Sequence, residues 1–384
     1  MSGTRRASVA VVGVAESDLG QVAPDTTPLD LMAQGTFRAL EDCGLKLSDI
    51  DGVFCAATQV RMGPMALSEY LGIKPKVFDG TQIGGSSFMS HVAHAQTAIE
   101  HGLCEAALIA YGSTQRSVSR AAASPREFNP YESPYRPFMP SSAYAMAASR
   151  HMHQYGTTRE QLAEVAVAAR KWALLNPKAW EKEPLTIEQV LNARMVSYPL
   201  TVRDCCLVLD GGGAMILTSA ARAKSLKKKP VYVLGTGEAL SHASISSMAD
   251  LTVTAAAESG PRAFGMAGLK PPDVDMVSLY DAFTITPILF LEDLGFCPKG
   301  EGGRFVANGA IAPGGKLPVN TSGGGLSYCH PGMYGLLVMI EAVHQVRGEC
   351  DKRQVKDCEV ALAHGNGGVL SSQCTVIFGG PSTV

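Results

Sequence analysis

The run Ala7–Ala15, ASVAVVGVA, constrains the fold more than any other stretch. It is apolar almost without interruption and rich in valine. A strand with one wet face alternates polar and apolar residues; this one does not, so both of its faces must be covered, as in parallel α/β sheets. Ala106–Gly112 (AALIAYG) reads the same way, and Gly211–Thr218 (GGGAMILT) returns to strand. Between the strands, Pro28–Cys43 reads as a helix with Leu29, Met32, Phe37 and Leu40 apolar and Gly44 as its stop. Asp51–Ala56 reads as a strand and Pro64–Leu71 as a short helix.

The pattern restarts in the second half. A strand over Val231–Gly235, a helix over Leu251–Ala267 and a strand over Asp275–Phe283 (DMVSLYDAF) are expected. An apolar run from Met333 to Ile340 suits a helix, Val360–Gly368 a strand closing in a glycine turn, and Cys374–Phe378 a last strand. GGGAMILTSA at 211–220 and GGVLSSQCTVIFGG at 367–380 suggest a duplicated unit. The polar run Ala220–Lys229 places a boundary near residue 225, giving halves 1–225 and 226–384. Residues 113–199 differ in character. They hold most of the aromatics and several prolines, and read as an inserted loop region with a helix over Arg159–Leu175. Its Phe128, Tyr131, Tyr135 and Phe138 are apolar enough to meet a bulky ligand.

Charge and cysteine usage narrow the function. A net charge of −2 gives no electrostatic case for nucleic acid. No apolar stretch reaches the roughly 18 residues of a membrane span, and the N-terminus lacks a signal-peptide core. The ten cysteines form no CxxC and sit mostly in apolar runs, which fits free thiols in a reducing cytoplasm and no metal site.

Two stretches carry chemistry. In NTSGGGLSYCHPGMYG (320–335) three consecutive glycines permit φ > 0 and close approach to the main chain. Pro331 biases His330 towards an extended backbone. The segment either aims an imidazole and N–H groups at a developing negative charge or is a tight turn with a satisfied histidine. In DGTQIGGSSFMSHVAHAQTAIEHG (79–102), Gly84–Gly85 make a turn and Ser86 and Ser87 stand where a helix starts. Strand, turn and helix N-terminus can hold a nucleophile or an anion, or this is a serine-capped helix.

In this order and spacing, the chain resembles the thiolase superfamily, and within it the sterol-carrier and lipid-transfer branch. Ala95–Gly102 (AxxAIxxG) is similar to the helix after the thiolase nucleophile. Tyr280–Phe283 (YDAF) stands for the NEAF-type motif, Asn320–Gly335 for the glycine-rich GHP motif, and His364–Gly368 (HGNGG) for the C-terminal CxG motif. The resemblance implies a five-layered αβαβα fold of two similar halves, an acyl-CoA substrate, and a dimer or tetramer. It brings no cofactor beyond the coenzyme A of the substrate and no metal.

The departures from the family pattern redirect the chemistry. The nucleophile position falls near Gly85, with Ser86 beside it, and no cysteine; His364 stands where the second cysteine would be. Acyl transfer through an enzyme thioester needs a thiolate. Some lipid-transfer members without that cysteine are retro-aldolases of acyl-CoA esters, working with a small zinc-ribbon/OB-fold subunit and using a tyrosine of the YDxF-type motif. The implied reaction is therefore carbon–carbon cleavage of a β-hydroxyacyl-CoA. His330 would stabilise the oxyanion, Tyr280 or His364 would move the proton, and Asp281 would orient the tyrosine or the loop. Asn320, Gly323, Gly324 and Gly85 would line the substrate. The alternatives are acyl transfer using Ser86, and a non-catalytic CoA- or lipid-binding subunit.

Overall fold

A computed structural model describes residues 5–119 and 129–384. Nine strands form one mixed sheet: β1 (Val9–Glu16), β2 (Gly52–Cys55), β3 (Val77–Asp79), β4 (Ala106–Ser113), β7 (Gly211–Ser219), β8 (Val231–Leu240), β9 (Met276–Leu279), β10 (Val360–Gly367) and β11 (Ser372–Gly379). Strands β5 (Met195–Ser197) and β6 (Leu200–Thr201) make a separate ribbon. The longer helices are α1 (Pro28–Cys43), α2 (Gly63–Leu71), α3 (Ser87–Glu100), α4 (Ser141–Tyr155), α5 (Arg159–Ala173), α6 (Ala256–Ala267), α7 (Ile285–Asp293) and α8 (Gly335–Arg347).

The sheet has two arms that repeat each other. Its order is β3-β2-β4-β7-β1-β8-β11-β10-β9. Counted from the centre, one arm runs β1-β7-β4-β2 and the other β8-β11-β10-β9. In each arm the first three strands alternate direction and the outer pair is parallel. Only Ala10–Tyr232 and Val11–Val231 join β1 to β8. Helices α3 and α8 touch strands of both arms, α1 packs on the first arm and α6 on the second. The result is five layers, αβαβα. The central position of α8 explains its burial: nearly every residue of it is buried, charged ones included.

Local sequence signals set several boundaries. Thr27 caps α1: its hydroxyl accepts the Asp30 N–H at 3.2 Å while the Asp30 carboxylate accepts the Thr27 N–H at 2.8 Å. Gly44 ends that helix at φ 77. Phe37, one of the apolar residues of that helix, is 53% exposed. Helix α6 begins five residues later than expected. Thr254 commits its N–H and hydroxyl to the Asp293 carboxylate, each at 2.8 Å, which holds the preceding turn out of the helix. Strand β9 leaves the sheet after Leu279, short of the expected Phe283, and β10 runs on through Gly367 where a turn was expected. Tyr131, Tyr135 and Phe138 are exposed, and Phe128 lies outside the described residues. All ten cysteines are free thiols. No described helix is long and apolar enough to cross a membrane.

Arg347 fastens the central layer to both arms. Its buried guanidinium donates to Asp42 Oδ2 at 2.7 Å, Val12 O at 2.7 Å and Lys229 O at 3.2 Å. Removing one partner of a buried pair strands the other without solvent. Arg347→Ala is expected to lower unfolding stability by about 3–5 kcal/mol, measured by denaturant titration; a loss below about 1 kcal/mol, the level of an exposed pair, would remove the clamp from this account.

Candidate active site

The glycine-rich stretch folds over the end of β9. Asn320 adopts φ 53. Its Oδ1 accepts the Leu279 N–H at 2.6 Å and its own N–H donates to Val277 O at 3.0 Å. Gly323 and Gly324 follow at φ 102 and 64, and Gly324–Tyr328 close into one π-helical turn. Asp281 lies beneath this turn, fully buried. Its carboxylate accepts N–H bonds from Gly325 at 2.6 Å and Leu326 at 3.3 Å. Burial pushes its pKa up to about 7 against the pull of those bonds. A Cβ at 324 would stand 2.0 Å from Asp281 Oδ2, and one at 325 would stand 2.9 Å from His330 Cδ2. The glycines thus let Asp281 and His330 approach the main chain. Asn320, Gly323 and Gly324, expected to line the substrate, build this loop.

Two tyrosine hydroxyls hold the segment after His330. Tyr111 Oη donates to Pro331 O at 2.6 Å and accepts the Met333 N–H at 2.9 Å. Tyr280 Oη donates to Gly332 O at 2.8 Å and accepts the Tyr334 N–H at 3.2 Å. The His330 ring meets Tyr280 edge to face at 5.4 Å and stacks on Tyr334 at 5.8 Å. Burial raises Tyr280 well above its ordinary value, so at neutral pH it is a neutral phenol.

The turn before α3 meets this loop directly. A Cβ at 85 would lie 2.1 Å from Tyr280 Cε2 and 2.7 Å from Asn366 O. The tyrosine ring fills the space a side chain there would need. Ser86 is fully buried, and its hydroxyl is engaged by Ile83 O at 3.1 Å and by Ser372 Oγ. It does not cap the helix. Ser87 ties the turn instead, accepting the Ile83 N–H at 2.9 Å and donating to Gly84 O at 2.6 Å. Two buried thiols stand nearby. Burial pushes up the thiols of Cys374, next to Ser86, and of Cys329, whose Sγ turns to Asp210 O at 3.8 Å.

His364 is not brought to this group. Because β10 continues through Gly367, its side chains alternate. Gly365 and Gly367 face α3, where a Cβ at 365 would lie 2.9 Å from Ser86 Cα. His364 and Asn366 face the other way. His364 Nδ1 bonds Thr375 Oγ1 at 2.9 Å, Nε2 bonds Gln373 Oε1 at 2.8 Å, and the ring lies 4.7 Å from that of Phe290. Burial lowers its pKa to about 4. The structure therefore gathers His330, Tyr280, Asp281 and Gly85, keeps Ser86 at the edge with its hydroxyl spent, and sets His364 apart. Sequence reasoning missed Tyr111, Tyr334 and Asn366. The first looks like any strand residue, and Asn366 becomes legible once HGNGG is read as strand.

Residues 237–380 match the family described as Thiolase C-terminal domain-like. An acetyl-CoA acetyltransferase of Methanothermobacter thermautotrophicus is 34% identical, over 96% of this chain and 99% of its own. A 17-hydroxy-3-oxo-4-pregnene-20-carboxyl-CoA lyase of Mycobacterium tuberculosis is also 34% identical, over 88% and 91%. Among solved structures, an Ltp2-ChsH2(DUF35) aldolase superposes with a TM-score of 0.88 at 30% identity, covering 98% of this chain and 99% of that one. The chain belongs to the thiolase superfamily. Within it, the chain resembles acyl-CoA retro-aldolases.

The packing of Tyr280 on Gly85 is testable without knowing the substrate. Gly85→Ala overpacks the contact and is expected to cost about 1–3 kcal/mol. In a Tyr280→Ala background the same change should cost less by about 1–3 kcal/mol, the coupling typical of touching residues. Additive losses in a thermal or denaturant double-mutant cycle would mean that the ring does not occupy that space.

Proposed function

We propose that the protein cleaves a carbon–carbon bond in a β-hydroxyacyl-CoA by a retro-aldol reaction that forms no covalent enzyme intermediate. One observation carries the reading: where an acyl-carrying side chain would stand, Gly85 is covered by the Tyr280 ring. The names of the lyase and aldolase relatives support it.

In this reading the thioester oxygen lies at His330. Tyr280 acts in its deprotonated fraction: the phenol first loses its proton to solvent, and with it the bond to Gly332 O, and the phenolate then takes the β-hydroxyl proton, which it returns to Cα. The Cα–Cβ pair moves onto the thioester as an enolate, Cβ–O becomes a carbonyl, and Cα is then protonated. The products are a ketone or aldehyde and a shorter acyl-CoA. Asp281 holds the loop through Gly325 and Leu326. His364, from its place behind β10, takes no proton. A homodimer or tetramer, joined by a small zinc-ribbon/OB-fold subunit, completes the proposal; that the aldolase of similar structure is named with a second component, ChsH2(DUF35), supports a partner. The acetyltransferase relative favours one competing reading, acyl transfer. Intact-mass spectrometry with acetyl-CoA and with a long-chain 3-oxoacyl-CoA separates the two: a stable adduct lost in Ser86→Ala establishes transfer and ends the lyase reading.

His330→Ala is expected to reduce kcat about 100- to 1,000-fold, the usual loss of one oxyanion donor, with the fold intact by circular dichroism. If Tyr280 is the base, its raised pKa means that its reactive deprotonated fraction grows about tenfold per pH unit at and above neutrality. The logarithm of kcat/KM should then climb with unit slope from pH 7 to pH 9. A plateau with an apparent pKa near the ordinary histidine value of about 6.5 would transfer the base role to His330.

A further inference from the structure

We propose that Gln115 is a further substrate-contacting residue of this site, its side-chain N–H donating to the oxygen on the β-carbon so that the hydroxyl turns its own hydrogen to Tyr280. The identity of that oxygen rests on the lyase reading. The unpaired amide that motivates the proposal is a feature of the fold whatever the reaction.

Gln115 stands just beyond the end of β4, and the chain on either side of it is tied down. Before it, Thr114 donates its N–H to Gln59 Oε1, and its hydroxyl oxygen accepts from Gln59 Nε2, each at 3.0 Å. After it, Arg116 and Ser117 give their N–H groups to Asp210 Oδ1 at 2.7 and 3.0 Å. The backbone is fixed, and the residue is buried but not wholly closed off, at 5% exposed. Its side chain reaches the segment after His330. A Cβ at Gly332 would stand 2.7 Å from Gln115 Oε1 and 3.4 Å from Tyr111 Oη. The carbonyl oxygen of the same glycine accepts the Tyr280 hydroxyl at 2.8 Å. Gly332 thus carries Gln115 on its Cα and Tyr280 on its carbonyl.

The two side chains that come to Gly332 from this strand end differ in one respect. Tyr111 is bonded on both sides, to Pro331 O and to the Met333 N–H. The Gln115 amide has no hydrogen-bond partner among the described residues. Buried polar groups are nearly always paired, and this one leaves two donors and an acceptor idle. A methionine or leucine would fill similar space without that cost. The contact with Gly332 sets which end of the amide is which. A hydrogen on the glycine Cα, standing where Cβ would, faces an oxygen and not an N–H. Nε2 is then the end turned away from the loop backbone. A hydroxyl that accepts from it keeps its own hydrogen to donate. In the retro-aldol reading that hydrogen goes to the Tyr280 phenolate. The amide does not titrate, so it holds the same oxygen while Cβ–O becomes a carbonyl.

The test compares Gln115→Met with the wild-type chain in calorimetric titrations of 3-hydroxypalmitoyl-CoA and palmitoyl-CoA, alongside turnover of the former. Loss of one hydrogen bond to the β-hydroxyl should weaken 3-hydroxypalmitoyl-CoA about 3- to 10-fold and leave palmitoyl-CoA within about twofold, as expected of a change confined to one polar contact. Gln115→Leu, branched but similar in volume, should repeat the result. Both variants should melt no lower than the wild-type chain, because each removes an unpaired amide from the interior; the same melts show that the compared chains are folded. Equal weakening of both esters, or no change in either, overturns the proposal, because a purely structural glutamine has no preference for the hydroxyl. If the wild-type chain binds both esters but splits neither, the lyase reading falls while the hydroxyl-selective loss at Gln115 still decides this one. If the wild-type chain binds neither, both fall.

Discussion

The molecule turns on one crossing, where the start of α3 meets the start of α8 with no side chain between them. A Cβ at Gly335 would lie 1.9 Å from Gly85 O, and one at Gly85 would run into Tyr280. Two helices in the middle of a five-layer stack touch both arms of the sheet, so their relative position fixes the arms as well. Because the backbones are in contact at that point, the loop leading into α8 arrives directly above the turn leading into α3. The His330 loop and the Gly85 turn are thereby set against each other by packing and not by a flexible tether. Tyr111 and Tyr280, one from each arm, then lock the loop with paired bonds to main-chain groups. A shift of either arm would break those bonds.

The electrostatic character of the site follows from the same burial. Thiols and phenols are pushed up, His364 is pushed down and Asp281 sits near neutrality. Each change favours the uncharged form, as low-dielectric surroundings dictate. Fixed N–H groups and ring edges do the orienting. Such a site stores little charge at rest. A charge that develops during reaction meets dipoles already in place, where screening by water is weak. A carboxylate or thiolate held ionised there would instead have to be desolvated beforehand.

Much of this was legible in the sequence. Strands buried on both faces announce themselves through unbroken apolar runs such as Ala7–Ala15, and α1 is marked at both ends by Thr27 and Gly44. The pairing of YDAF with the glycine-rich stretch was readable too, because both motifs are dense in residues that regular structure avoids. What escaped is long-range register. HGNGG looks like a turn by composition, yet it is a strand, since two of its glycines are there to let α3 pack closely. That one difference of local structure reverses the side to which His364 points. The helix start near Leu251 failed for a similar reason: Asp293, some forty residues away, claims Thr254.

The reversal at β10 also changes what the histidine means. On the α3 side it would have stood beside Ser86 and Tyr280 as a proton carrier. On the opposite side it is a neutral donor at the head of a chain of amides, and amides pass orientation, not protons. Gln373 and Asn366 continue the chain of hydrogen bonds from His364 to the Tyr144 hydroxyl. A histidine held neutral by burial is better suited to that task than a titrating one, because its direction does not change with pH. The family-like position of His364 in the sequence and its place in the structure are therefore compatible. The residue stands in the C-terminal motif, and its bonds run through Gln373 to Asn366, whose main-chain oxygen covers Gly85.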